Sequence, residues 1–166
     1  MVARSLLPII QQENTAVYIS DYANLIQIST VTAGAAGTSA ITSDAVNMTG
    51  YDGCLFIVPF GAIVSGAATS IKLTQCDTSG GSYADLTGTS QTVADTDDDK
   101  TFLIDIQQPQ EQYLKLVVSR ATQNATVGGI YAMPYHKASR STVLPVAGTG
   151  GIGGVERFVA PAEGTA

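Results

Sequence analysis

GCLFIVPFGAIV (residues 53–64) and TSIKLTQC (residues 69–76) decide the fold class of this chain. The first run is almost continuously apolar and rich in Phe, Ile and Val, the pattern of a strand buried on both faces. The second alternates, with Ile71 and Leu73 on one side and Lys72 and Thr74 on the other, because successive side chains of a strand point in opposite directions. The same period of two extends outward. TFLIDI (101–106) puts Phe102, Ile104 and Ile106 on one face, and YLKLVVSR (113–120) does so with Leu114, Leu116 and Val118. TVGGIYAMPYH (126–136) is a further core strand whose paired glycines predict a bulge or a close backbone approach. NLIQISTV (24–31), SAITSDAVNM (39–48), SYADLTG (82–88) and SQTVAD (90–95) are weaker or shorter runs, and TAVYISDYANL (15–25) leaves room for one helix. Turn-forming clusters such as DTSGGS, DTDDDK and TQNA separate the runs. Short alternating strands at this spacing predict an all-β fold, an antiparallel β-sandwich of jelly-roll type with about eight strands.

The ends depart from this pattern. Residues 1–20 show little alternation and read as an N-terminal arm; residues 21–136 hold the sandwich. Residues 137–166 read as an extended C-terminal arm, with two apolar clusters, Val143 to Val146 and Val155 to Val159, on either side of a glycine-rich joint.

Composition narrows the function classes. Of the 166 residues, 45% are hydrophobic and only 13% are charged, about half the usual charged share of roughly 25%. A surface of small neutral residues suits a protein largely covered by neighbours, or an extracellular β-domain. The net charge of −6 argues against a nucleic-acid partner, which calls for a Lys/Arg surface. The charge is uneven. Residues 76–111 carry Asp77, Asp85, Asp95, Asp97, Asp98, Asp99, Asp105 and Glu111 against Lys100 alone, whereas Lys115, Arg120, Lys137, Arg140 and Arg157 outnumber Glu156 and Glu163 beyond residue 111. No segment approaches the ~20 apolar residues of a membrane span. The N-terminus also lacks the apolar core of a secretory signal, so synthesis in a cytosol, or prior loss of a leader, is expected.

The motifs point away from catalysis. GTGGIGG (148–154) contains G-x-G-x-x-G, yet a dinucleotide turn needs a helix, a second strand and an acid after it, and the few following residues include Pro161. The single histidine, His136, provides neither a metal cluster nor a catalytic triad, and there is no G-x-S-x-G elbow. Asp95, Asp97 and Asp99 in ADTDDDK are candidate Ca²⁺ ligands, but the EF-hand spacing fails and a solvated hairpin loop is the better reading. Of the two cysteines, Cys54 is expected inside and Cys76 outside, too few for a disulfide framework. No enzyme activity and no cofactor are expected.

Residues 49–132 also carry a resemblance. The strand ending Phe60-Gly61-Ala62-Ile63, the block SIKLTQCDTSGGSYADLTGT (70–89), the turn VADTDDDK (93–100) and the strand and loop YLKLVVSRATQNA (113–125) resemble small virion proteins of tailed bacteriophages, the capsid decoration or cement proteins. The resemblance implies a non-enzymatic virion protein, made in the host cytoplasm. It would bind the outer capsid surface and stabilise the shell at capsomer junctions. Its partners would be the major capsid protein and copies of itself, as a dimer or trimer, with no nucleic acid and no membrane. In that setting the arms become candidate anchors, through Leu6, Leu7, Ile9 and Ile10 at one end and Val143, Leu144, Val146, Ile152, Val155, Phe158 and Val159 at the other. The competing readings are a tail, fibre or head-tail joining protein and a carbohydrate-binding adhesive sandwich.

Overall fold

The computed structural model describes residues 23–29, 35–136, 152–159 and 162–164. The described strands are β1 (Ile26–Gln27), β2 (Ala35–Gly37), β3 (Ile41–Thr42), β4 (Val46–Asn47), β5 (Gly53–Ile63), β6 (Ala68–Cys76), β7 (Ala84–Asp85), β8 (Gln91–Val93), β9 (Thr101–Gln107), β10 (Tyr113–Ala121), β11 (Ala125–Val127), β12 (Tyr131–Tyr135) and β13 (Ile152–Val159). No helix occurs among the described residues; of the stretch that left room for one, residues 15–22 lie outside the described residues and Ala23 bridges to Tyr135.

Several short strands are pieces of one run. β1 and β2 lie end to end along β12 and β11, β3 and β4 along β10, and β7 and β8 along β6. Grouped this way, the described strands make eight runs and a closing strand, β13. The first sheet has the order β1/β2, β12/β11, β5, β9, β13, and the second β3/β4, β10, β6, β7/β8. The two sheets form the β-sandwich that the alternating sequence predicts. Among the described strands, all pairings are antiparallel except that of β13 with β9.

The core is the meeting of two inner faces. Phe56 and Val58 of β5 and Ile104 and Ile106 of β9 face Ile71 and Leu73 of β6 and Leu114, Leu116 and Val118 of β10, all fully buried. Phe60 and Phe102 close one end edge-to-face, with ring centroids 5.6 Å apart. Each such side chain contributes roughly 1.5–3 kcal/mol by leaving water. The 53–64 run is not buried on both sides as its composition suggested. Leu55, Ile57 and Pro59 are half-buried on the outer face, so the strand alternates in environment though hardly in sequence.

Two buried hydroxyls explain why single runs break in two. In the gap between β3 and β4, the N–H of Leu116 donates to Ser43 Oγ at 2.9 Å, the side chain taking the place of a backbone acceptor. In the gap between β7 and β8, the N–H of Leu73 donates to Thr89 Oγ1 at 3.1 Å, and that hydroxyl donates to Leu86 O at 2.8 Å. Each keeps a buried backbone group satisfied where the ladder is interrupted. The paired glycines separate β11 from β12 as expected. The ladder to β5 shifts register just before them, between Ala125 and Val127, and a Cβ on Gly128 would sit 3.0 Å from Pro59 Cγ and 3.2 Å from Pro59 O.

Candidate docking surface

The two outer faces of the sandwich differ in chemistry. On the second sheet the outward positions are mostly polar, with Val117 among them apolar. Lys72 pairs with Asp85 at 2.6 Å, Lys115 lies 4.1 Å from the Tyr83 ring centre, and Ser70 stands beside Ser119. On the first sheet, Ile57 is flanked by Tyr131 and Leu103, and Leu55 by Met133 and Asp105, all half-buried. In antiparallel sheets one face commonly packs on the core while the other is wet. Here only the second sheet follows that rule, and the first offers an apolar patch, the kind of surface that marks contact sites.

The patch ends at a polar row. The Tyr135 hydroxyl donates to Asp105 Oδ1 at 2.6 Å. Burial first, then the hydrogen bond and charge of Asp105, hold that phenol protonated far above its ordinary range. Gly53 makes the arrangement possible, since a Cβ there would collide with the Tyr135 ring. Beyond it, Asp52, Gln107, Gln108 and Tyr135 line a cleft, and the exposed His136 stacks on Tyr51 at 5.0 Å.

The acidic turn between β8 and β9 is occupied with its own backbone. Asp95 Oδ2 accepts from the N–H of Gly66 at 3.1 Å, and Asp98 Oδ1 accepts from the N–H of Ile63. Asp97 accepts from the N–H of Ala94 at 2.9 Å and from Lys100 Nζ at 2.8 Å. For Asp97, burial pushes the pKa up, but the Lys100 bond, the Ala94 N–H and the Lys100 charge outweigh it and hold the carboxyl below its usual value. Asp99 contributes a left-handed residue, φ 57°, rather than a ligand. Among the described residues, no group of three or more His, Cys, Asp or Glu is placed to hold a metal ion. Asp95, Asp97 and Asp99 are therefore not gathered into a calcium site.

Past the glycine run the chain forms a strand, not the helix that a dinucleotide turn requires. β13 runs parallel to β9, with Val155 opposite Leu103 and Arg157 opposite Asp105. The chain then reaches the edge of the other sheet. Glu163 bridges to Leu86, the N–H of Thr87 donates to Ala162 O at 3.0 Å, and the N–H of Gly164 donates to Asp85 O at 3.0 Å. Gln75 Nε2 donates to Glu163 Oε1 at 3.3 Å. This seat has an electrostatic cost. Desolvation, a hydrogen bond shared with Glu163, and the charges of Glu163 and Asp77 raise the pKa of Glu111.

Of the candidate anchors, Ile152, Val155, Phe158 and Val159 fall in β13, whose backbone pairs with the chain's own β9. Leu6, Leu7, Ile9, Ile10, Val143, Leu144 and Val146 lie outside the described residues. Sequence reasoning missed the patch of Leu55, Ile57, Leu103 and Met133. The signal was present in the apolar outward positions of GCLFIVPF, which were read as burial. Cys76 is a correction: it shares the outward parity of Lys72 and Thr74 yet is 8% exposed. The turn 77–81 folds back over it so closely that a Cβ on Gly81 would collide with Cys76 Sγ. Cys54 is fully buried as expected, and desolvation raises its thiol pKa far above the ordinary value.

No protein-family profile matches the chain, and no curated protein sequence matches it. Among solved structures, a chain in the structure of infectious bursal disease virus, Gt strain, is similar over 78% of this chain and 36% of that one, with 12% identity and a TM-score of 0.38. The present chain thus spans about a third of that chain's length.

Proposed function

We propose that this chain is a non-enzymatic virion structural protein that binds the outer surface of a bacteriophage capsid and reinforces the junctions between capsomers. The observation that carries the reading is the apolar outer face of the first sheet, opposed by a polar outer face on the second. A tile lying on another protein needs this asymmetry, one dry side to bury and one wet side to present. The low charge content and the resemblance of residues 49–132 to decoration proteins support the same reading. So does the architecture. With the eight runs numbered in chain order, the sheets read 1–8–3–6 and 2–7–4–5, the strand order of a jelly roll, used by viral capsid proteins, lectins and cupins alike. Architecture leaves the choice among these to the surface.

The test is a titration of the purified protein onto expanded, undecorated phage capsids. Saturation near one copy per capsid subunit, with a raised shell melting temperature, is expected. Ile57→Thr and Leu103→Ser should each weaken binding by about tenfold, the loss of an apolar contact worth roughly 1.4 kcal/mol. Lys72→Gln on the opposite face should leave binding unchanged. Thermal unfolding of each variant separates lost binding from lost folding. Binding to isolated tails or to glycans, with none to capsids, would refute the proposal.

A further inference from the structure

The parallel strand β13 poses a problem of connection. β12 begins opposite Ile57 and ends opposite Gly53, so the chain leaves it at the end of the sheet where β13 finishes, at Val159 opposite Gln107. To enter β13 beside Thr101, the chain has to return the length of β9, about 20 Å, and cross three strand spacings, about 14 Å, a displacement of about 25 Å. Residues 136–151 reach about 55 Å when extended, so they suffice. The inner face is filled by Phe56, Ile104 and the rest of the core. The short line from the end of β12 to the start of β13 of the same chain crosses the outer face of Leu55, Ile57 and Leu103. A connection made to a neighbouring copy has the same reach and leaves that face open.

We propose that β13, with residues 162–164, is an exchangeable segment, and that on the capsid the β9 edge of one copy takes β13 of a second copy. The inference rests on the capsid-binding reading above. The β9 edge accepts this strand whichever chain supplies it, so exchange sacrifices no pairing between β13 and β9 or between residues 162–164 and the β7 edge. The outcome then depends on the tether and on local concentration, and copies fixed side by side on a lattice are at high effective concentration. The tether carries Gly148, Gly150 and Gly151 next to the start of the strand. Exchange closes either reciprocally, as a two-fold dimer, or head-to-tail, as a larger ring around a symmetry axis.

The register supplies the test. Gln107→Cys in one chain and Val159→Cys in another, outside the apolar patch, place the two thiols opposite each other only when strands are exchanged. Cys54 and Cys76 are buried, and each single variant alone serves as the control. After binding to expanded capsids and mild oxidation, the mixture should give covalent dimers on a non-reducing gel. The doubly substituted chain should give covalent rings. If the capsid-bound double variant closes only on itself, exchange is overturned while capsid binding stands. If the protein binds no capsids, the functional reading fails and exchange is judged in solution. In solution the double variant is oxidised at high protein concentration; covalent oligomers support exchange, and a chain closed only on itself overturns it.

Discussion

Replacing Thr89 with Val keeps the side-chain shape and deletes one hydroxyl from a residue with no exposed surface. That hydroxyl accepts from the N–H of Leu73 at 3.1 Å and donates to Leu86 O at 2.8 Å. The two losses are unequal. Leu86 O keeps a second donor, the N–H of Thr89 at 3.2 Å, so it forfeits only the net value of a bond, about 1 kcal/mol. The N–H of Leu73 faces the broken ladder and is stranded, at about 1–3 kcal/mol. The expected loss is about 2–4 kcal/mol, which lowers the melting temperature by about 4–12 °C in a domain of this size. Urea denaturation of the parent, Thr89→Val, Thr89→Ser and Thr92→Val measures it. Serine keeps the hydroxyl and should recover most of the loss, and the exposed Thr92 should be neutral. A Thr89→Val protein within 0.5 kcal/mol of the parent, with an unchanged denaturant slope, would refute the idea that this hydroxyl completes the ladder.

Three further outcomes follow from the same coordinates. Thr122 sits at φ 69° in the turn after β10, a conformation costly for a β-branched residue, so Thr122→Gly should raise stability by about 1 kcal/mol in the same denaturation assay. The pKa of Glu111 is raised in the folded state, so its contribution to the C-terminal seat is complete below the unfolded carboxylate pKa and is lost as pH rises through the folded value. Amide exchange at Thr87 and Gly164, corrected for intrinsic rate, should accelerate across that window, and Glu163→Gln should flatten the dependence; equal pH profiles in both proteins would exclude the mechanism. Gly81→Ala should lift the 77–81 turn and raise the rate at which Cys76 reacts with a thiol reagent by about tenfold or more, with Cys54 still inert; an unchanged rate would show that the turn does not shield the thiol.

The long strands were legible because their burial is written in alternation. Phe102, Ile104 and Ile106, or Leu114, Leu116 and Val118, announce both the strand and its inner face. The interrupted runs were less legible, because Ser43 and Thr89 do in the core what turn residues do at the surface. A hydroxyl that replaces a backbone acceptor has the same letter as one that solvates a loop. The apolar outer face of the first sheet was misread for a related reason. Leu55 and Ile57 are apolar whether a second layer of the same protein or another protein covers them, and a single sequence carries no mark of which. Cys76 went wrong because parity describes a strand alone, and the turn that covers it folds back from outside the strand. The parallel placement of β13 depends on a sheet edge that exists only after β9 has formed, so no local pattern announces it.

The pairing of β6 with β10 has a mechanical consequence. Nine residue pairs, from Tyr113 opposite Cys76 to Ala121 opposite Ala68, join these strands without a slip in register. Their hydrogen bonds lie across the strands. A pull along the strand axis loads every rung of that ladder in shear at the same moment, whereas a pull at right angles opens the rungs one after another. The molecule is therefore stiff in one direction and tears in the other, and its orientation under load decides which of the two a stretched surface would meet.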